Sequence, residues 1–165
     1  MSALAHSPRI TPFLWFDSNA EEAVDYYVSI FKNSRKLNEH TSSADTPSGP
    51  KGMVLTISFE LDGQRFTALN GGPLFKFTEA VSLQVCCDDQ LEIDFYWDAL
   101  SAGGDPKAQQ CGWLKDRYGL SWQITWDWAR YFTDPDSEKS ARAMRAILQM
   151  KKPDLAAIDR AVAGR

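Results

Sequence analysis

An internal repeat is the feature of this sequence that most constrains its fold. Residues Phe13–Phe31 resemble Ser82–Leu100, which begin 69 positions later. Each copy reads as a short apolar strand, a polar turn and a helix with one apolar face. Asp25-Tyr26-Tyr27 aligns with Asp94-Phe95-Tyr96. A repeat of this kind predicts one domain built from two similar halves, with a cleft between them.

The composition excludes several classes of function. The chain has 165 residues, of which 44% are hydrophobic and 24% charged, as in ordinary globular domains. Its net charge of -4 argues against a nucleic-acid partner, since phosphate backbones are bound by clustered Lys and Arg. No stretch approaches the length of a membrane span, so we expect no membrane partner. Three cysteines without a paired spacing predict reduced thiols and a cytoplasmic location.

The first half predicts a βαβββ module. Ser18 begins a capping-box pattern, so we expect its side chain to satisfy free amides at the start of a helix. Asp62-Gly63 between two alternating runs predicts a tight hairpin. The predicted elements are strands at Arg9–Phe16, Ser34–Thr41, Met53–Leu61 and Gln64–Asn70, and a helix at Ala20–Phe31.

The second half predicts the same order of elements, followed by a helical extension. A strand at Val81–Cys86 leads into a helix that Gly103-Gly104 ends. We predict an α+β fold of two βαβββ modules whose curled mixed sheets surround a cavity, with C-terminal helices. The single domain 1–165 then comprises modules 9–72 and 80–128 and an extension 129–165. The remaining predicted strands are Lys107–Cys111, Gly112–Lys115 and Ser121–Trp126. One C-terminal helix is predicted to start at Asp134-Pro135-Asp136-Ser137 and the last to have Pro153 in its first turn. These helices are expected either to cover the edge of a sheet or to reach a second subunit.

Several motifs in order resemble one family. Gly112–Ile124 is similar to the D-x-x-G-x-x-W-x-I closing strand of the PhnB-like, or 3-demethylubiquinone-9 3-methyltransferase-like, branch of the vicinal oxygen chelate superfamily. Thr11–Phe16 and Ala20–Ala23 resemble the opening strand and helix of that branch, and Met144–Lys152 resembles its C-terminal extension. The resemblance covers residues 9 to 163. It implies the glyoxalase/bleomycin resistance-like fold, paired modules and a homodimer.

The resemblance also shows where metal ligands are missing. Metal-dependent relatives place His or Glu at positions that fall here near Thr11 or Pro12, Ala68 or Asn70, Val81 or Ser82, and at Gln123. None of these residues is His, Asp or Glu, and first-row metals need such ligands. We therefore predict no metal and no other cofactor.

Strand alternation indicates candidate ligand-binding residues. In the last strand Gln123 and Thr125 share one face, opposite Trp122, Ile124 and Trp126. If helices cover the aromatic face, the polar pair lines the cavity. Asn70 is predicted either to cap a strand end or to face the pocket, and Asp116 is predicted to stabilise a turn. The candidate ligand-binding residues are Phe13, Trp15, Asn70, Gln84, Trp113 and Gln123, and no catalytic residue is assigned.

These residues favour a protein that binds a small aromatic or apolar metabolite in a metal-free cavity. One alternative is a metal-dependent lyase, isomerase or dioxygenase that uses a different set of ligands. Another is methyl transfer, as the family label has it. The second alternative is disfavoured, because Gly71-Gly72 and Gly103-Gly104 do not form the glycine-rich turn that S-adenosylmethionine requires.

Overall fold

A computed structural model describes residues 8–133 and 136–164 of the chain. The chain divides into two compact units between Lys76 and Phe77. Each unit mixes helices and strands, which confirms the predicted α+β class. The finer division into modules 9–72 and 80–128 and the extension 129–165 stays a prediction.

The first unit is a four-stranded sheet with one helix packed on it. The strand order is β1-β4-β3-β2, with β1 parallel to β4 and the other pairs antiparallel. The predicted hairpin turn is present, and Asp62 and Gly63 both have positive φ angles of 46° and 78°, as its turn type requires. The elements are β1 (Phe13–Phe16), α1 (Ala20–Ile30), β2 (Arg35–Thr41), β3 (Val54–Leu61) and β4 (Gln64–Asn70).

Helix α1 holds the core of this unit in place. Ala23, Val24 and Tyr27 follow at helical spacing and are completely buried. Ile57 of β3 and Ala68 of β4 are completely buried in the sheet below them. Burying a side chain the size of Val24 contributes about 2 kcal/mol. The apolar stripe read from the sequence is therefore what fixes the helix on the sheet.

The second unit repeats the plan of the first with fewer strands. Its sheet has the order β5-β7-β6, with β5 parallel to β7 and β6 antiparallel to it. In both units the opening strand therefore pairs in parallel with the closing strand, and a helix follows the opening strand. The elements are β5 (Ser82–Cys86), α2 (Gln90–Ser101), β6 (Trp113–Lys115) and β7 (Ser121–Thr125).

The predicted strand at Lys107–Cys111 is wrong. Pro106–Ala108 instead forms a 3-10 turn, and only Gln110 makes an isolated bridge to Trp113. The Asp105 carboxylate accepts a hydrogen bond from the Lys107 amide at 2.9 Å. Local bonds of this kind compete with sheet pairing, and Pro106 has no amide hydrogen to donate. The described part of the second sheet therefore has three strands.

The C-terminal helices belong to the second unit. Helices α4 and α5 pack against each other, and the segment between them hydrogen-bonds the chain just before β6. Met150 O accepts from the Cys111 amide at 2.9 Å, and Lys151 O accepts from the Gly112 amide at 2.8 Å. These bonds lie beside β6, the edge strand of the second sheet. The segment between α4 and α5 therefore covers part of a sheet edge, which is one of the two roles expected for the C-terminal helices. The helices are α3 (Ala129–Phe132), α4 (Ser137–Leu148) and α5 (Leu155–Val162).

The last helix begins later than the sequence indicated. Pro153 was expected in its first turn, but the helix begins at Leu155 and Asp154 is its cap. The Asp154 carboxylate accepts a hydrogen bond from the Ala157 amide at 2.8 Å. The helix start predicted at Asp134-Pro135-Asp136-Ser137 lies partly outside the described residues, which resume at Asp136, the cap of α4. In the described ranges, no helix is both long and apolar enough to cross a bilayer.

Candidate ligand-binding face

One face of the β5-β7-β6 sheet carries a group of polar side chains. Leu114, Trp122 and Ile124 alternate with them and form a completely or almost completely buried opposite face. Helix α2 packs against β6 and β7. We call the other face the polar face, and it consists of Ser82, Gln84, Cys86, Trp113, Lys115, Ser121, Gln123 and Thr125.

Three of the predicted site residues lie in one row across the polar face. Gln84 is directly opposite Gln123, and Gln123 is directly opposite Trp113. The Gln123 amide donates to Ser82 Oγ at 2.8 Å, and the Gln84 amide donates to Thr125 Oγ1 at 3.0 Å. In the described part of the chain neither amide oxygen accepts a hydrogen bond. Each oxygen therefore remains available to a donor on a ligand.

A hollow of about 330 Å³ lies beside this row. Lys115 Nζ and the Glu79 carboxylate form an ion pair of 2.5 Å there. The hydrogen bond from Lys115 holds the pKa of Glu79 below its usual value. Glu79, Lys115 and Ser121 were not among the predicted site residues. The alternation that picked out Trp113 and Gln123 also places Lys115 and Ser121 on the polar face. The residues that line the hollow are Glu79, Ala108, Trp113, Leu114, Lys115 and Ser121.

The polar face does not fit a divalent cation. Gln123 and Ser82, which the family resemblance predicted at positions of metal ligands, carry no charge and hydrogen-bond each other. Neutral amide and hydroxyl groups alone bind first-row metal ions weakly. Across residues 8–133 and 136–164 no three His, Cys, Asp or Glu side chains come together as a metal site.

Two of the three candidate residues in the first unit lie on β1. Trp15 Nε1 donates to Gly72 O at 2.9 Å, and its ring meets Phe75 edge to face with centroids 4.9 Å apart. A Cβ atom at Gly71 would overlap the indole of Trp15, so only glycine permits this approach. Phe13 lies on the same face of the strand and is 60% exposed. Phe13 and Trp15 make this face of the first sheet apolar, whereas the polar face of the second sheet carries the amides of Gln84 and Gln123.

Asn70 lies on the opposite face of the first sheet from Phe13 and Trp15. It is 3% exposed and lies on the helix-covered face of the first sheet. Its side-chain oxygen accepts from the Ala20 amide at 2.8 Å, and its nitrogen donates to Glu21 Oε2 at 2.7 Å and to Val54 O at 2.9 Å. Asn70 thus caps α1, while Asn19 makes no capping bond through its side chain.

Asp116 stabilises the turn between β6 and β7. Its carboxylate accepts hydrogen bonds from Trp122 Nε1 at 2.8 Å, the Tyr118 amide at 2.8 Å and the Leu120 amide at 3.0 Å. The carboxylate is buried, with the residue 3% exposed. Asp116 therefore stabilises a turn, as predicted, and Trp122 of the same sequence motif holds the carboxylate in place.

The adjacent cysteines differ in environment. Cys87 is buried, and this burial, assisted by Glu92 and other nearby acidic groups, raises the pKa of its thiol to about 12. Cys86 is exposed and lies on the polar face. No His lies within the polar face to activate either thiol.

Comparison with known proteins decides the family. Residues 8–125 match the model of the family described as 3-demethylubiquinone-9 3-methyltransferase. The chain belongs to this family. It is 35% identical to the PhnB protein of Bacillus cereus, whose name describes that protein as a candidate 3-demethylubiquinone-9 3-methyltransferase. The two share a TM-score of 0.62 over 72% of this chain and 99% of that protein.

More distant structures share the fold of this family member. A protein of Pseudomonas aeruginosa is 20% identical, with a TM-score of 0.53 over 73% of this chain and 98% of its own. The fosfomycin resistance protein FosX of Listeria monocytogenes, solved with Mn(II) and sulfate, is 16% identical, with a TM-score of 0.50 over 74% and 93%. These likenesses show a shared fold and confirm the predicted fold class. No curated protein sequence matches the chain.

Proposed function

We propose that the polar face binds a small aromatic or apolar organic molecule without a metal ion. The observation that carries the proposal is the row of Gln84, Gln123 and Trp113, which places two amides with unused oxygens beside an indole and next to a hollow of about 330 Å³. That size is at the lower end of the range for small-molecule sites.

Each part of the row has a separate task in binding. The half-buried ring of Trp113 offers apolar area and a face for stacking with a second ring. The amide oxygens of Gln84 and Gln123 accept hydrogen bonds and so fix the orientation of the ligand. Both amides are held by neighbours on the same sheet, so little side-chain freedom is lost when the ligand binds.

Binding to a neutral aromatic probe tests this proposal. Titration calorimetry with 2-naphthamide should give saturable binding to the wild-type protein. Gln123→Ala should weaken it about fivefold, because one hydrogen bond contributes about 1 kcal/mol. Gln149→Ala is the matched control, since Gln149 is an exposed glutamine at the end of α4. Equal affinity for all three proteins would contradict the proposal.

A metal-dependent enzyme is distinguished by elemental analysis. Protein purified without chelator should carry far less than one equivalent of Zn, Mn, Ni or Fe, since the donors on the polar face are neutral. A near-stoichiometric metal that is lost on changing acidic residues would favour an enzyme with another ligand set.

Methyl transfer is the second candidate, favoured by the description of the family. The residues do not fit S-adenosylmethionine. β1 is followed by Asp17-Ser18-Asn19, without glycine, and Gly71-Gly72 follows β4 instead. A concentration-dependent rise in melting temperature with S-adenosylmethionine would support methyl transfer, and we expect none.

We also propose a homodimer, as the family resemblance implies, and a cytoplasmic location, as the unpaired cysteines predict. Leu91 and Phe95, one turn apart on α2, are 77% and 52% exposed and supply apolar surface for such contacts. Light scattering should give twice the mass of the chain, and the mass of a single chain would contradict the proposal.

A further inference from the structure

The hollow beside the row contains a polar group that the neutral ligand proposed above does not require. Ser121 is 1% exposed, and its Oγ has no hydrogen-bond partner among the described residues. Leaving a buried hydroxyl without a partner costs about 1 to 3 kcal/mol. Each such group in a native structure needs an explanation, and a bound molecule that supplies the missing partner is one.

A cation lies beside this hydroxyl. Lys115 is directly opposite Ser121 in the pairing of β6 with β7, so both side chains emerge on the polar face. Both residues line the hollow, together with the ring of Trp113. A lysine ammonium and a serine hydroxyl are both donors, and two converging donors suit an acceptor that carries negative charge.

We propose that the hollow takes the carboxylate of an aromatic acid, with the carboxylate bound by Lys115 Nζ and Ser121 Oγ and the ring against Trp113. This inference rests on the proposed function and names the class of ligand for the same face.

Glu79 holds the place of the ligand carboxylate when the site is empty. Its carboxylate is 2.5 Å from Lys115 Nζ, its side chain is 64% exposed, and it lies in the segment 71–81, which contains no helix or strand. Exposed ion pairs of this kind contribute little to stability. A ligand that offers the same carboxylate and also buries a ring therefore displaces Glu79 at small cost.

Variants at the two charges should act in opposite directions on one probe. We expect 2-naphthoate to bind more tightly than 2-naphthamide, which has the same ring and no charge. Lys115→Gln should weaken naphthoate binding about tenfold through loss of a charge-assisted bond. Glu79→Gln should strengthen it about threefold, because the competing carboxylate is removed. Gln149→Ala is the control and should leave naphthoate affinity unchanged, since Gln149 is exposed at the end of α4.

Ser121→Ala separates binding from folding. It should weaken naphthoate binding about fivefold. The melting temperature should stay equal or rise, because the hydroxyl has no partner to lose. A fall in melting temperature with unchanged affinity would overturn the role given to Ser121.

The outcomes separate this inference from the proposed function. Equal binding of naphthoate and naphthamide, unaffected by Glu79→Gln, overturns the inference and leaves the proposed function standing. Binding of neither probe overturns both. If Lys115→Gln does not fold, Glu79→Gln still decides, because Glu79 is exposed and its replacement leaves the sheet intact.

Discussion

The two units follow one plan but use their amide side chains differently. Trp15 of β1 and Gln84 of β5 occupy the same position in the repeat, and Asn70 of β4 corresponds to Ile124 of β7 by strand pairing. In the first unit the amide lies under the helix and caps it. In the second unit the helix side is apolar, and the amides lie on the polar face.

Helix capping explains the difference. α1 has Asn19 at its N-cap without a side-chain bond, so the distant Asn70 supplies the acceptor. α2 has Asp89 at its N-cap, and this carboxylate accepts from the Glu92 amide at 2.9 Å. Because the second helix is capped locally, no strand residue is required for it. The amides of the second sheet therefore remain available for a ligand.

The largest effect is expected at the cap of the first unit. Asn70→Ala should lower the free energy of unfolding by about 3 kcal/mol, because it removes the cap of α1 and leaves buried groups without partners. Urea denaturation measures this value. The matched control is Asn19→Ala, which should change it by less than about 0.5 kcal/mol. Equal effects would show that the cap is local after all.

The two hairpin turns should differ next. Asp116→Asn should lower the free energy of unfolding by about 2 kcal/mol, since an amide cannot accept all three bonds to the carboxylate. Asp62→Asn is the control in the first unit. Asp62 is exposed at positive φ, which Asn tolerates, so we expect a change below about 0.5 kcal/mol. A larger loss for Asp62→Asn would reverse this ranking.

The local cap of α2 should have a smaller effect. Asp89→Ala should cost about 1 kcal/mol and speed hydrogen exchange in the first turn of α2. Helix α1 should keep its exchange rates. Faster exchange in both helices would mean that the two caps are not independent.

The smallest expected effect is a difference in reactivity and ionisation between Cys86 and Cys87, and it does not change stability at neutral pH. With its pKa near 12, the Cys87 thiol stays neutral at pH 8, while an unfolded thiol ionises near 9. Its contribution to stability is therefore present at neutral pH and is lost as the pH rises from about 9 to 12. Mass spectrometry after iodoacetamide treatment at pH 8 should show Cys86 alkylated before Cys87. Faster alkylation of Cys87 would contradict its burial.

Local patterns in the sequence predicted much of this fold. The strand and helix in each copy of the repeat, the apolar stripe of α1 and the Asp62-Gly63 turn each depend on neighbouring residues, and the structure confirms them. The cap of α1 was predicted from Ser18 and is instead made by Asn70, 50 residues away from Ala20. No local pattern contains that contact. The strand predicted at Lys107–Cys111 was wrong because the hydrogen bond to the Asp105 carboxylate favours a tight turn and Pro106 has no amide hydrogen for sheet pairing.

The candidate site was predicted in part for the same reason. Alternation along β7 put Gln123 on the polar face, and pairing of strands brought it beside Gln84 and Trp113. Glu79 comes from an irregular segment, whose position no periodicity determines. The buried state of Ser121 depends on the surrounding sheet and not on its own residue type.

One measurement tests the central claim, that the second unit uses its amides for binding and the first unit uses its amide for structure. A two-dimensional proton–nitrogen NMR titration with 2-naphthamide observes the side-chain amides of Gln84, Gln123 and Asn70 in one experiment. We predict that the signals of Gln84 and Gln123 shift in a saturable way while that of Asn70 stays fixed. A shift at Asn70 with unmoved glutamine signals would contradict the account.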